Sequence, residues 1–242
     1  NQAVRVAHFV QQEQMELTTT LMLIRHGHVP DNDPSSGARL CGWADPPLSP
    51  LGEWQVRRLS ERLQGEAVAA LYTSPLLRTW CTAQALADTL GVPPQARISL
   101  REIGCGHVDG WRLADVQHQY SELWQINLAQ NDERFRWPGG ESYRAFRSRC
   151  VRTIRRLATK HQGQRIILVT HTGLITQVLG AMYGVSAARW GAFRVGNASL
   201  TEICWHGETG ELVRFDDRQH LLLGDLQPSQ PSRTVSEAAT FA

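Results

Sequence analysis

Leu21-Met22-Leu23-Ile24-Arg25-His26-Gly27-His28 is the stretch from which the fold is read. Four apolar residues in a row are too few for a helix and match a strand buried on both faces. The polarity then switches to an arginine and two histidines around a glycine. A second junction of this kind lies far downstream, where Ile166-Ile167-Leu168-Val169 runs into Thr170-His171-Thr172-Gly173. In sheets covered by helices on both faces, ligands bind where the chain leaves the carboxyl ends of the strands. The two junctions therefore predict that His26 and His171 meet at one sheet edge.

Helices and strands alternate around these junctions. Ser49-Pro50 gives an N-cap followed by proline at the first helical position, opening a helix to about Leu63. Val68 to Tyr72 reads as a strand. Ser74-Pro75 repeats the cap-plus-proline pattern and opens a helix that Gly91 ends. A third short strand precedes Glu102, and an irregular helical stretch runs from Leu113 to Asn131. Pro138-Gly139-Gly140 is a turn before a long helix from Glu141 to His161. Another helix begins near Gly173. Ala198 to Trp205 and Glu211 to Phe215 read as antiparallel strands joined by a turn at Gly207 to Gly210. The pattern predicts an α/β fold, three-layer α/β/α with a mostly parallel central sheet.

Bulk properties narrow the function. The chain has 242 residues, 42% of them hydrophobic, enough for one large buried core. Lys plus Arg is 25 against 23 Asp plus Glu, a net charge of +2, which argues against nucleic acid as the partner. There is no apolar run of membrane-spanning length, so no membrane is expected. Residues 1–19 are polar and lack a signal-peptide core. They read as a flexible extension before a domain over 20–224. The Pro, Ser and Gln content of 225–242 reads as a disordered tail. Five scattered cysteines without a CxxC pair read as reduced thiols in a cytoplasmic protein.

The polar residues projected to the sheet edge suit phosphoryl transfer. Arg25 and Arg78 are planar, charge-assisted donors for a phosphoryl dianion. His26, His171 and Glu102 add two imidazoles and a carboxylate.

These residues also carry a family resemblance. Leu23-Ile24-Arg25-His26-Gly27 resembles the signature of the histidine phosphatase superfamily, which includes cofactor-dependent phosphoglycerate mutases. Asn32, Gly42-Trp43-Ala44-Asp45, Leu48-Ser49-Pro50-Leu51-Gly52 and Thr73-Ser74-Pro75-Leu76-Leu77-Arg78-Thr79 match later blocks in the family's order. So do Arg101-Glu102-Ile103, Pro138-Gly139-Gly140-Glu141-Ser142, Val169-Thr170-His171-Thr172-Gly173 and Asn197-Ala198-Ser199-Leu200. The resemblance implies a phosphoglycerate mutase-like fold. It further implies His26 as the nucleophile that forms a phosphohistidine, and Glu102 as the acid for the leaving oxygen. Arg25, Arg78, His171, Asn32 and Thr172 would hold the phosphoryl oxygens. His28, where many members carry Glu or Gln, and Trp43 are read as substrate-pocket residues. The implied reaction is hydrolysis of a small phosphorylated metabolite without a metal or other cofactor.

Alternatives stand beside this reading. A mutase would pass the phosphoryl group to a second substrate. The 69-residue interval between Glu102 and His171, together with Pro-Gly-Gly-Glu-Ser, resembles the phosphatase branch instead. His26-Gly27-His28 is also the HxH of metal-dependent hydrolases, although Arg25 beside it would repel a cation. A phosphoryl-binding pseudoenzyme would lack the nucleophile or the acid, and both are present. The seven Arg and Lys residues of the Glu141–His161 helix read as a solvated face, and Glu141 as a charge on the helix dipole. Nothing in the sequence sets the oligomeric state, and a homodimer stays open.

Overall fold

The computed structural model describes residues 18–32 and 37–222. Six strands form one sheet: β1 (Thr19–Arg25), β2 (Ala70–Thr73), β3 (Pro94–Ala96), β4 (Arg165–Thr170), β5 (Leu200–His206) and β6 (Thr209–Asp217). The order is β3-β2-β4-β1-β5-β6. β1, β2 and β3 join a parallel block around β4, while β5 and β6 add an antiparallel edge. The helices are α1 (Pro50–Arg62), α2 (Leu77–Leu90), α3 (Leu113–Gln119), α4 (Ser121–Ala129), α5 (Tyr143–Lys160) and α6 (Thr172–Met182).

Side-chain alternation along the strands builds the layers. Leu21, Leu23, Tyr72, Ile166, Leu168 and Ile203 face α5 and α6, whose Phe146, Ile154, Leu174 and Val178 complete that core. Met22, Ile24, Leu71, Ile167, Val169 and Leu200 face α1 and α2, packing on Leu59, Leu63, Ala83 and Leu86. β1 and β4 are apolar on both faces, as an all-round covered strand requires. A third, aromatic cluster of Trp124, Phe135, Trp137 and Tyr143 is supplied by α4, the segment after it and the first residue of α5.

Register sets the edge where function is sought. Ile24 and Thr73 both pair with Val169, so β1, β4 and β2 end side by side. Arg25–His26, Ser74 and Thr170–His171 therefore leave the sheet together. The His26 amide donates to Thr170 O at 3.1 Å and the Ser74 amide to Val169 O at 3.1 Å.

The helix expected from Glu141 starts at Tyr143, with Ser142 Oγ accepting from the Ala145 amide, while at α1 local expectations hold and Ser49 Oγ accepts from the Gly52 amide. They fail at α2. That helix starts at Leu77 rather than at Pro75, and its N-cap residue Leu76 makes no side-chain cap bond. The Asp45 carboxylate, from a loop remote in sequence, instead accepts from the Leu77 amide at 2.5 Å. The Ser74 hydroxyl lies 2.9 Å from His171 Nε2 and accepts from the Leu76 amide at 3.4 Å. The third strand ends at Ala96, and a 3-10 turn (Ile98–Leu100) intervenes before Glu102. The stretch from Leu113 divides at Tyr120 into α3 and α4. The expected tail lies outside the described residues, as does the expected extension up to residue 17. Thr19 already belongs to β1.

Leu168 is fully buried on the central strand β4. Leu168→Ala is expected to lower unfolding stability by about 3 kcal/mol through lost transfer energy and a residual cavity. The check is a urea midpoint that falls while the m-value stays unchanged.

Candidate active site

The His26 ring is oriented by its own backbone. Nδ1 lies 2.7 Å from Gly27 O, and a carbonyl only accepts, so Nδ1 carries the proton. Nε2 is then a bare lone pair, and it receives the Arg78 Nε–H at 3.3 Å. Burial, Arg78 and Arg25, in that order, hold the imidazole well below its ordinary pKa. A neutral ring with its lone pair at Nε2 is the form a nucleophile requires.

Two guanidinium groups flank this ring. Arg78 is 1% exposed and donates to Ala44 O at 2.8 Å and to Gly42 O at 2.9 Å. Arg25 donates to Val195 O at 2.6 Å and to Asn32 Oδ1 at 3.4 Å. Its Nε is buried with no partner among the described residues. Burial lowers both guanidinium pKa values, that of Arg25 to about 10. The His171 ring sits edge-on to that of His26, centroids 5.3 Å apart, and burial followed by Arg78 holds it well below its ordinary pKa. Its Nδ1, like Arg25 Nε, is buried without a partner.

The carboxylate arrives from a loop. Glu102 Oε1 accepts from the Ile103 amide at 2.9 Å and Oε2 from the Gly173 amide at 3.0 Å, in the first turn of α6. A Cβ at position 173 would stand 2.1 Å from Oε1, so only glycine admits the carboxylate there. Arg149 of α5 fastens the loop: it donates to Ser99 O, Arg101 O and Glu102 O at 2.8–3.1 Å. Its charge is met by Glu141 at 2.6 Å, and Glu141 also accepts from the Gly104 amide at 3.0 Å.

This corrects the reading of α5. Glu141 and Arg149 are a loop-holding pair rather than a dipole charge and a solvated residue. Arg147 likewise turns inward to Gln177 Oε1 at 2.7 Å and Val185 O at 2.5 Å. The available signal was helical spacing, since positions 147 and 149 flank the Phe146–Cys150–Ile154 stripe.

Arg25, His26, Asn32, Arg78, Glu102 and Thr172 all line one cavity of about 220 Å³. His171 is fully buried behind that lining. Two expected pocket residues are not part of it. His28 Nδ1 bonds Ser49 Oγ at 2.8 Å and the His28 amide bonds Gln55 Oε1 at 2.9 Å, which turns this residue to the start of α1. Trp43 lies outside, donating through Nε1 to Glu102 O at 2.8 Å beneath the Arg101 guanidinium. The metal-site reading of His26-Gly27-His28 fails on the same geometry, because the two rings have separate partners. Among the described residues no group of three or more His, Cys, Asp or Glu side chains could hold a metal ion. Sequence reasoning did not find Arg39, Arg136 and Arg194, which add cationic lining against the carboxylates of Glu102 and Glu141. The balance favours an anionic ligand.

Three buried imidazoles give a pH signature. His26 and His171 are held far below their ordinary value, and burial lowers His220 to about 4. In the unfolded chain each recovers a pKa of about 6.5. Below that pH the unfolded state binds more protons than the folded one, so stability falls with falling pH. The urea midpoint is expected to drop between pH 7.5 and pH 5.5, before most carboxylates titrate. A flat midpoint across that window would contradict the buried neutral rings.

Comparison with known proteins agrees with this geometry. Phosphoserine phosphatase 1 of Hydrogenobacter thermophilus is 25% identical over 201 residues, covering 83% of this chain and 93% of that protein. The solved structure of a mycobacterial glucosyl-3-phosphoglycerate phosphatase superposes with a TM-score of 0.72 at 26% identity, over 82% of this chain and 99% of the other. A phosphoglycerate mutase from Bacillus anthracis shares the fold, with a TM-score of 0.73 at 22% identity, over 87% of this chain and 98% of the other. Residues 21–218 match the histidine phosphatase superfamily (branch 1), and with the two arginines and two histidines gathered at one sheet edge, it is to this superfamily that the chain belongs.

Proposed function

We propose that this histidine-type phosphatase hydrolyses a small phosphomonoester by passing the phosphoryl group through Nε2 of His26. The observation that carries the reading is the ring's orientation. Nδ1–H is spent on Gly27 O, and the Nε2 lone pair stands in a cationic cavity beside Arg78.

In this mechanism the phosphoryl oxygens settle between Arg25, Arg78 and the ring of His171. Arg25 Nε is a buried donor awaiting an acceptor. With the Ser74 hydroxyl donating to His171 Nε2, Nδ1–H is a second one. Asn32 steadies Arg25, and Thr172 lies at the mouth of α6, where amides face an anion. The Arg78 Nε–H hydrogen bond passes from His26 Nε2 to a phosphoryl oxygen, the freed lone pair attacks phosphorus as the ester P–O bond breaks, and Glu102 delivers a proton to the departing alkoxide. Water then attacks the phosphohistidine, giving its proton to Glu102, and inorganic phosphate leaves with the imidazole restored. The guanidinium groups supply the positive charge, so no metal or cofactor takes part. A cytoplasmic setting accords with five free cysteines. No helix among the described residues is long and apolar enough to cross a membrane.

His26→Ala is expected to reduce hydrolysis by ~10³-fold or more. Wild-type protein quenched during turnover should carry an acid-labile phosphoryl label, and a label stable to acid would refute the histidine intermediate. Glu102→Gln should impair alkyl phosphates at least ~10-fold more than p-nitrophenyl phosphate, whose leaving group needs little protonation. Equal losses on the two substrates would remove Glu102 from the acid role.

A further inference from the structure

The cavity that holds the candidate reacting groups also has an aromatic and aliphatic wall. Besides Arg25, His26, Arg78 and Glu102 the same cavity is lined by Leu113, Trp124, Leu128, Trp137 and Trp190. This wall is pre-packed. Trp124 and Trp137 are 9% and 4% exposed, within the same buried cluster as Phe135 and Tyr143. Phe135 meets Trp137 edge-on at 5.1 Å and stacks on Tyr143 at 5.8 Å.

The hydroxyl and indole donors of the aromatic residues are committed within the wall, and the cations of the lining are Arg39, Arg136 and Arg194. The Tyr143 hydroxyl donates to Asn127 Oδ1 at 2.5 Å, and Trp190 Nε1 donates to Asn127 O at 3.2 Å. The Arg194 guanidinium lies over the Trp190 ring, 5.2 Å from its centroid. A neutral polyhydroxylated body placed against the aromatic part of this wall would lose hydrogen bonds to water and recover few. An apolar ring would lose none, and would gain burial and edge or face contacts with rigid aromatics.

We infer that the phosphate ester this site is shaped for carries a hydrophobic, ring-bearing alcohol, which rests on the Trp124–Trp137–Trp190 wall while the phosphoryl group faces His26. The inference rests on the phosphatase reading above and adds the chemical class of the leaving group. It places specificity in residues that do not touch the reacting atoms.

The test compares kcat/KM for ethyl phosphate, phosphoserine, glucose 6-phosphate, 2-phenylethyl phosphate and 2-(indol-3-yl)ethyl phosphate. The two arylethyl esters are primary alkyl phosphates with leaving groups about as basic as ethanol, so differences from ethyl phosphate report binding of the body. The arylethyl esters are expected to exceed ethyl phosphate by roughly 50-fold, the factor that burial of one ring supplies. Leu128→Gln and Trp190→Ala, each checked for an unchanged far-UV spectrum and cooperative melting, should cut that ratio at least ~5-fold. Phosphoserine or glucose 6-phosphate turning over as fast as the arylethyl esters overturns the inference and leaves the phosphatase reading standing. An aryl preference that survives both substitutions also overturns it, because another surface would then be responsible. No turnover of any ester defeats the phosphatase reading, and this inference with it.

Discussion

A guanidinium group removed from water beside a neutral imidazole is the constraint around which this protein is organised. Arg78 is almost wholly buried, and a buried charge is tolerated only when its donors are met. Its terminal nitrogens are met by the carbonyls of Gly42 and Ala44, and its Nε by His26. Those carbonyls point inward because the 41–45 loop turns tightly. Gly42 has φ +39°, and a Cβ there would strike the Asp109 carboxylate, which accepts from the Trp43 and Cys105 amides. The same loop sends Asp45 to the start of α2, the helix that carries Arg78. Loop, helix and charge are thus mutually dependent. Burial first, and then the cation that would bind a phosphoryl group, keep the His26 imidazole unprotonated.

The sheet makes this arrangement affordable. β1, β4 and β2 are fixed in register by two fully covered apolar faces, so the three junctions bearing His26, His171 and Ser74 have little freedom. Glu102 enjoys no such support from a strand. Its loop is secured by the Arg149–Glu141 pair, by the indole N–H of Trp43, and by the first turn of α6 through the amide of Gly173. The two candidate chemical groups are therefore positioned by different means, one by sheet register and the other by side-chain bracing.

How far the sequence could be read follows from this difference. The β1 and β4 runs were legible because burial on both faces leaves an uninterrupted apolar signal. The cap at Ser49 was legible because its hydroxyl, though it also meets the His28 ring, accepts from the Gly52 amide of the helix that follows it in the chain. Ser74 misled because its hydroxyl, shared between the His171 ring and the Leu76 amide, stands ahead of the first helical turn, and Asp45 meets the Leu77 amide instead. His28 and Trp43 misled because motif position says which segment approaches the site but not where a side chain turns. Arg147 and Arg149 were hidden in a run of basic residues, where sequence gives no means of separating the inward positions from the solvated ones except their flanking of the apolar stripe. The aromatic cavity wall was invisible, since it is assembled from α3, α4, the 135–143 segment and the loop around Trp190 only after folding.

That wall has an implication for how such a molecule diversifies. Most of it comes from one uninterrupted length of chain between the carboxylate loop and α5, whereas the reacting pole is drawn from the sheet edge. If the wall holds the substrate body as inferred, exchange of aromatic for polar side chains within that single length would redirect substrate choice and leave the residues of the sheet edge unchanged. On that reading the two halves of the cavity are separable: one surface excursion sets the body of the substrate, and the sheet edge sets the phosphoryl pole.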